Sequence, residues 1–152
     1  MARIIKYFLS LCCLMYIFTS CTKVEDNPIP NYRVYLNLDL TFEDKDLKAI
    51  PSYKEYSVKD INVIQGESVG YGGVLVVHNM LGEYQAFDRA CPYEVRSNVL
   101  VEVDNEILYA VCPVCGTKFD IGTGNGSPNG ASKFYLLRRN VTQSGTKLIV
   151  SN

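Results

Sequence analysis

Two short segments of the sequence place a cysteine beside a proline, and these cysteines are the residues best suited to chemistry. The first is Cys91, and the second segment is residues 112–115 with the sequence CPVC. A cysteine thiolate is both a nucleophile and a metal ligand. Three cysteines in two separated loops therefore predict a metal site, a disulfide or a redox-active thiol pair.

The first twenty residues have the pattern of an export signal. Arg3 and Lys6 supply positive charge ahead of an apolar run at positions 7–18, which is too short to cross a bilayer comfortably as a permanent helix. We therefore expect the mature protein outside the cytoplasm, where disulfides persist. Removal of the signal also removes Cys12 and Cys13.

Small residues stand directly before Cys21 at the end of this run. That order resembles the lipobox of bacterial lipoproteins, which implies that Cys21 carries a lipid and becomes the mature N-terminus. The membrane is then a partner through the N-terminal lipid, and the expected location is the cell envelope, at the outer membrane. An ordinary secretory signal with an incidental Cys21 is the alternative. Residues 21–32 are polar and contain two prolines, which predicts a tether.

Composition and periodicity predict one all-β domain at residues 33–152. The chain of 152 residues has a net charge of −1 and lacks a basic stripe, so a nucleic-acid partner is not expected. Alternating or apolar strand patterns occupy positions 33–40, 73–79 and 83–88. Hairpins are predicted within 99–111, through positions 104–105, and within 134–150, through positions 144–145. No segment has helical periodicity over three turns, so the predicted fold has many short antiparallel strands.

The two cysteine loops, with the hairpin between them, resemble the Rieske family. Its signature is Cys-x-His in one loop and Cys-x-x-His-Gly in another, and the four side chains hold a [2Fe–2S] cluster. Residues 116–120 (GTKFD) continue as the family does, and the resemblance covers residues 70–152. It implies an antiparallel β-sandwich with a small two-loop cluster-binding subdomain, in which Cys91 and Cys112 hold one iron.

The sequence departs from the family at both histidine positions. Tyr93 stands at the first and Cys115 at the second. The candidate cofactor-binding residues are therefore Cys91, Cys112, Cys115 and Tyr93. A phenolate ligand requires removal of a proton with a pKa near 10, and a three-cysteine zinc site lacks an evident fourth ligand. The only histidine, His78, is expected to be a strand residue that faces solvent or a partly polar core.

The sequence favours a cluster-free binding or structural module stapled by a disulfide. The resemblance implies that the sulfurs of Cys91 and Cys112 converge, so a Cys91–Cys112 bridge with Cys115 left as a thiol is the favoured pairing. Cys91–Cys115 and Cys112–Cys115 remain open. Tyr93 is then expected to be a packing residue with a hydrogen-bonded hydroxyl.

Two other functions stay open. The first is [2Fe–2S] electron transfer to an unknown redox partner, with a remodelled ligand set. The second is thiol–disulfide exchange at Cys112 and Cys115, which is weaker because residues 116–121 are predicted as strand and not as an activating helix. Independent catalytic activity is not expected, since no residues remain for a separate catalytic domain.

Overall fold

The computed structural model describes residues 26–152, and this part of the chain is all-β, as predicted. The predicted export signal and Cys21 lie outside the described residues. Two short 3-10 helices, Lys45–Lys48 and Val63–Gln65, are the only helices in the described part, and neither is long or apolar enough to span a bilayer. The strands are β1 (Val34–Asp39), β2 (Ser52–Tyr56), β3 (Ser68–Val69), β4 (Val74–His78), β5 (Tyr84–Asp88), β6 (Glu102–Val103), β7 (Tyr109–Val111), β8 (Lys118–Asp120), β9 (Ser127–Asn129), β10 (Arg138–Ser144) and β11 (Lys147–Ser151).

Seven strands form one antiparallel sheet in the order β2-β4-β5-β10-β11-β1-β3. Strand β10 joins the two halves of this sheet. Its first residues, Arg138 and Arg139, pair with β5, whereas the rest of the strand pairs with β11. The alternation that predicted β1 places Val34, Leu36 and Leu38 in the core, where burying apolar surface stabilises the fold.

Four strands form a second, smaller antiparallel sheet in the order β6-β7-β8-β9. A separate apolar cluster, with Phe87 and Phe119 among its fully buried members, includes Cys91 and Cys112. Cys91 follows β5, and Cys112 directly follows β7. The cysteines therefore sit at strand ends within a packed core and not on free loops.

The loop that connects β6 and β7 is longer than the sequence predicts. A connection through positions 104–105 was predicted, but the strands end at Val103 and resume at Tyr109. The Asp104 carboxylate accepts hydrogen bonds from the backbone N–H groups of Leu108 (2.9 Å) and Tyr109 (3.2 Å). These bonds satisfy backbone donors in the loop, so the strands do not need to continue into it.

The end of the predicted tether contacts the domain. Ile29 is 3% exposed, and the Asn27 side-chain amide donates a hydrogen bond to the Tyr135 carbonyl at 2.8 Å. Asn31 contacts the guanidinium of Arg139. The last part of the tether is therefore held against the sheet.

Candidate metal centre

The three described cysteines converge at one point of the fold, as the sequence predicted. The Sγ atoms of Cys91, Cys112 and Cys115 all lie within 4.8 Å of one another. The Sγ atoms of Cys91 and Cys115 are 3.7 Å apart. Three thiol sulfurs this close together can hold a metal ion.

The first cysteine turn, residues 91–95, holds Cys91 by its backbone. The Cys91 N–H donates to the Val99 carbonyl at 3.0 Å, and the Cys91 carbonyl accepts from the Val95 N–H at 2.9 Å. Val95 closes the turn with a φ of 53°, which is rare for a β-branched residue. The Cys91 side chain is completely buried.

The second cysteine turn, residues 112–116, repeats this pattern. The Cys112 N–H donates to the Thr117 carbonyl at 2.9 Å, and the Cys112 carbonyl accepts from the Gly116 N–H at 3.0 Å. Gly116 closes this turn with a φ of 70°, a conformation that glycine adopts without a steric penalty. The two turns thus present their first cysteines in the same way.

Cys91 is held as a neutral thiol in the absence of a metal. Burial raises the pKa of the Cys91 thiol to about 12, although the backbone N–H groups of Glu94 and Tyr93 act in the opposite direction. A metal ion must therefore displace a proton from this sulfur, and metal binding releases it. Once the thiolate forms, those two N–H groups stabilise its negative charge.

Cys115 ionises more readily than Cys91. Burial raises its pKa, but hydrogen bonds from the Thr117 hydroxyl and backbone N–H, together with those from the Cys112 and Cys91 thiols, outweigh burial, so the pKa of Cys115 lies below its ordinary value. The Cys115 Sγ is 3.2 Å from Thr117 Oγ1, which also accepts a bond from the Ser132 N–H at 3.1 Å. Thr117 is therefore held in place to support a thiolate.

The three cysteines are free thiols in this structure. The 3.7 Å between the Sγ atoms of Cys91 and Cys115 is well beyond a disulfide bond of about 2.05 Å. The Cys91–Cys112 disulfide favoured from the sequence is not formed here and stays a prediction.

Tyr93 does not pack against the core, contrary to expectation. Its side chain is 55% exposed, because the third position of the turn faces away from the apolar cluster. His78 is outside the cysteine group and belongs to a partly polar core, as expected. It is 7% exposed, its Nδ1 lies 2.9 Å from the Leu47 carbonyl, and its ring stacks on Tyr84.

Two residues near the sulfurs were not identified from the sequence. One is Thr117, whose role depends on its position after the second turn. The other is Glu94, whose side chain is 14% exposed and forms an ion pair with Arg96 at 2.6 Å. A signal for Glu94 exists in the sequence, since Glu94 follows Cys91 at the spacing at which Cys115 follows Cys112.

No protein-family model matches this chain, and no curated protein matches it. The resemblance to Rieske proteins therefore stays a prediction from the sequence.

Proposed function

We propose that this chain is a lipid-anchored protein of the cell envelope whose three cysteines bind a metal, and that iron bound there passes electrons to a redox partner. The observation that carries the proposal is the convergence of the sulfurs of Cys91, Cys112 and Cys115 within 4.8 Å. Iron held by thiolates supplies one-electron redox chemistry. The resemblance of residues 70–152 to Rieske domains and the export signal support the same proposal.

The surroundings of the cysteines suit electron transfer. Cys91 and Cys112 are buried, which keeps water away from the centre, whereas Cys115 is partly exposed. At the third position of each cysteine turn the side chain is exposed, with Val114 57% exposed and Tyr93 55% exposed. A redox partner can dock on such an apolar and aromatic surface close to the metal. Backbone N–H groups directed at the Cys91 sulfur stabilise thiolate charge and so influence the reduction potential.

Anaerobic purification tests the proposal. The full chain is expressed with iron supplied in a bacterium that processes lipoproteins, extracted in detergent, and examined by metal analysis, visible absorption and redox titration. We expect bound iron and a reversible colour change, both lost in Cys91→Ser and Cys112→Ser. The matched control is Cys21→Ser, which removes the lipidated thiol and should keep the iron. Colourless, iron-free protein with intact thiols would contradict the proposal.

The disulfide-stapled module remains a second candidate, because two sulfurs 3.7 Å apart need only a small movement to form a bond in an oxidising compartment. A thiol count on aerobically prepared protein distinguishes it from the first candidate. Loss of two of the three thiols, together with failure of the reduced protein to bind metal, would favour the staple.

The anchor has its own test. Mass spectrometry of the membrane-extracted protein should show Cys21 as a lipid-modified N-terminal residue. Detection of mostly unmodified peptide spanning Ser20 and Cys21 would exclude the anchor without affecting the metal centre.

A further inference from the structure

The two-iron cluster implied by the sequence resemblance does not suit the arrangement of the donor atoms. A [2Fe–2S] cluster needs ligands for two irons at opposite ends of the cluster. Cys115 stands at a second-iron position, yet its Sγ lies 3.7 Å from that of Cys91, a first-iron ligand. Tyr93, the remaining position, is 55% exposed.

One metal ion fits the sulfurs better. A tetrahedral ion with metal–sulfur bonds of about 2.3 Å places its sulfur ligands about 3.8 Å apart. The 3.7 Å between the sulfurs of Cys91 and Cys115 agrees with that spacing, and the sulfur of Cys112 is within 4.8 Å of both. Three cysteines leave one corner of the tetrahedron for another ligand.

The two cysteine turns indicate where that ligand comes from. Each turn has cysteine then proline at its first two positions, a cysteine carbonyl that accepts a hydrogen bond from the N–H of the fifth residue, and a fifth residue with positive φ. In the second turn the fourth residue is Cys115, which reaches the centre. The residue in the same place in the first turn is Glu94.

The geometry points to a mononuclear site in which Cys91, Cys112, Cys115 and the carboxylate of Glu94 hold one divalent metal ion. This inference rests on the proposed function and specifies its metal centre. The Glu94 carboxylate lies outside the group of donor atoms within 4.8 Å, so its side chain must rotate inward to bind. Its present partner, Arg96, is 55% exposed and bonds to Oε2. Arg96 can follow the carboxylate and offset part of the negative charge of the four ligands.

Cobalt titration tests the site, because Co²⁺ reports its coordination geometry and ligands through visible absorption. The reduced, metal-free full chain is titrated with Co²⁺ and then with Zn²⁺ in competition. We expect one Co²⁺ per chain with tetrahedral absorption bands. Glu94→Gln should weaken Co²⁺ binding by at least about tenfold and shift the bands. Glu94→Cys should strengthen binding and add sulfur-to-cobalt charge-transfer absorption.

Two further variants test whether the weakened Co²⁺ binding is specific to loss of the Glu94 carboxylate. Glu106→Gln, on the loop at the other end of β7 from Cys112, removes an exposed carboxylate and should leave binding unchanged. Tyr93→Phe should also leave binding unchanged, and weakening equal to that of Glu94→Gln would overturn the assignment of Glu94.

The experimental results distinguish failure of the mononuclear site from failure of the proposed function. Identical affinity and spectra for Glu94→Gln and the unmodified chain would overturn the role of Glu94 while leaving a metal centre. Two irons with stoichiometric sulfide per chain would overturn the mononuclear site but support electron transfer. No Co²⁺ binding by the reduced, folded chain would overturn both.

Discussion

The first and second cysteine turns share a backbone but differ at the two positions that govern metal chemistry and strain. At the fourth position the first turn has Glu94 and the second has Cys115. At the fifth position the first turn has Val95 and the second has Gly116. A carboxylate is a harder ligand than a thiolate, and a β-branched residue at positive φ is strained where glycine is not. The first turn therefore has a left-handed fifth residue like the second turn, but the residue there is a strained valine. Its fourth residue offers a metal ion a carboxylate, where the second turn offers a thiolate.

This difference shows what holds the turn in shape. Val95 has a φ of 53°, and its N–H donates the hydrogen bond to the Cys91 carbonyl that closes the turn. Such strain costs about 1–3 kcal/mol and persists only where the surrounding structure over-determines the conformation. Ile107, in the loop between β6 and β7, has a similar φ of 56°, so strain of this kind is not confined to the cysteine turns.

The largest expected effect tests what the turns have in common. Cys91→Ser and Cys112→Ser should each abolish stoichiometric metal binding, because each removes the buried first ligand of one turn and a hydroxyl is a poor replacement for a thiolate. Metal analysis of chains purified under reducing conditions is the measurement. Full retention of metal by one variant and loss by the other would show that the two turns do not contribute equivalently.

An intermediate effect tests how the sulfurs differ. In metal-free reduced protein at pH 8, Cys115 should be alkylated by iodoacetamide at least about tenfold faster than Cys91, because only thiolates react and the Cys91 thiol has a pKa of about 12. The pKa of Cys115 is lowered, so its rate should level off at a lower pH than an ordinary cysteine. The rate at Cys91 should still be rising with pH above 10.

Peptide mapping by mass spectrometry assigns each rate to its residue. Thr117→Val, which removes the hydroxyl beside Cys115, should move the Cys115 profile to higher pH, and Thr117→Ser should restore it. A Cys115 profile that is the same in all three chains would show that Thr117 does not support the thiolate.

The smallest expected effect tests the fifth position. Gly116→Val should destabilise the metal-free protein by about 1–2 kcal/mol, because valine is strained in the left-handed backbone conformation of this position. Steric clash adds nothing to this cost, because a Cβ at Gly116 meets no atom within 4 Å. Val95→Gly should change stability by less than about 1 kcal/mol, because relief of strain is offset by the greater freedom of glycine in the unfolded chain.

Urea denaturation of the metal-free, reduced chains gives both free energies of unfolding. Gly116→Asn is the matched control, because asparagine tolerates a left-handed backbone better than valine. An equal loss for Gly116→Asn and Gly116→Val would show that backbone conformation is not the cause.

The local pattern of apolar and polar residues was enough to predict most of the strands but not all of them. Alternation predicted β1, and apolar runs predicted β4 and β5 to within one residue at each end. Strand β9 was missed, because its sequence SPN has no alternation and contains Pro128. It forms the edge of the small sheet, where proline is tolerated because one side needs no partner. Its existence depends on pairing with β8, which the local pattern of its three residues does not reveal.

The sequence by itself determined the all-β class and the cysteines available for chemistry, since these depend on residue type and local spacing; the export signal stays a prediction from the same local pattern. Only the tertiary structure decided how closely the sulfurs of Cys91, Cys112 and Cys115 approach one another across the β6–β7 hairpin. It also decided that Cys91 is fully buried while Tyr93 faces solvent. The reason is physical. Burial, sulfur separation and pKa depend on how the small sheet packs around Phe87 and Phe119, and that packing joins residues that are far apart in the chain.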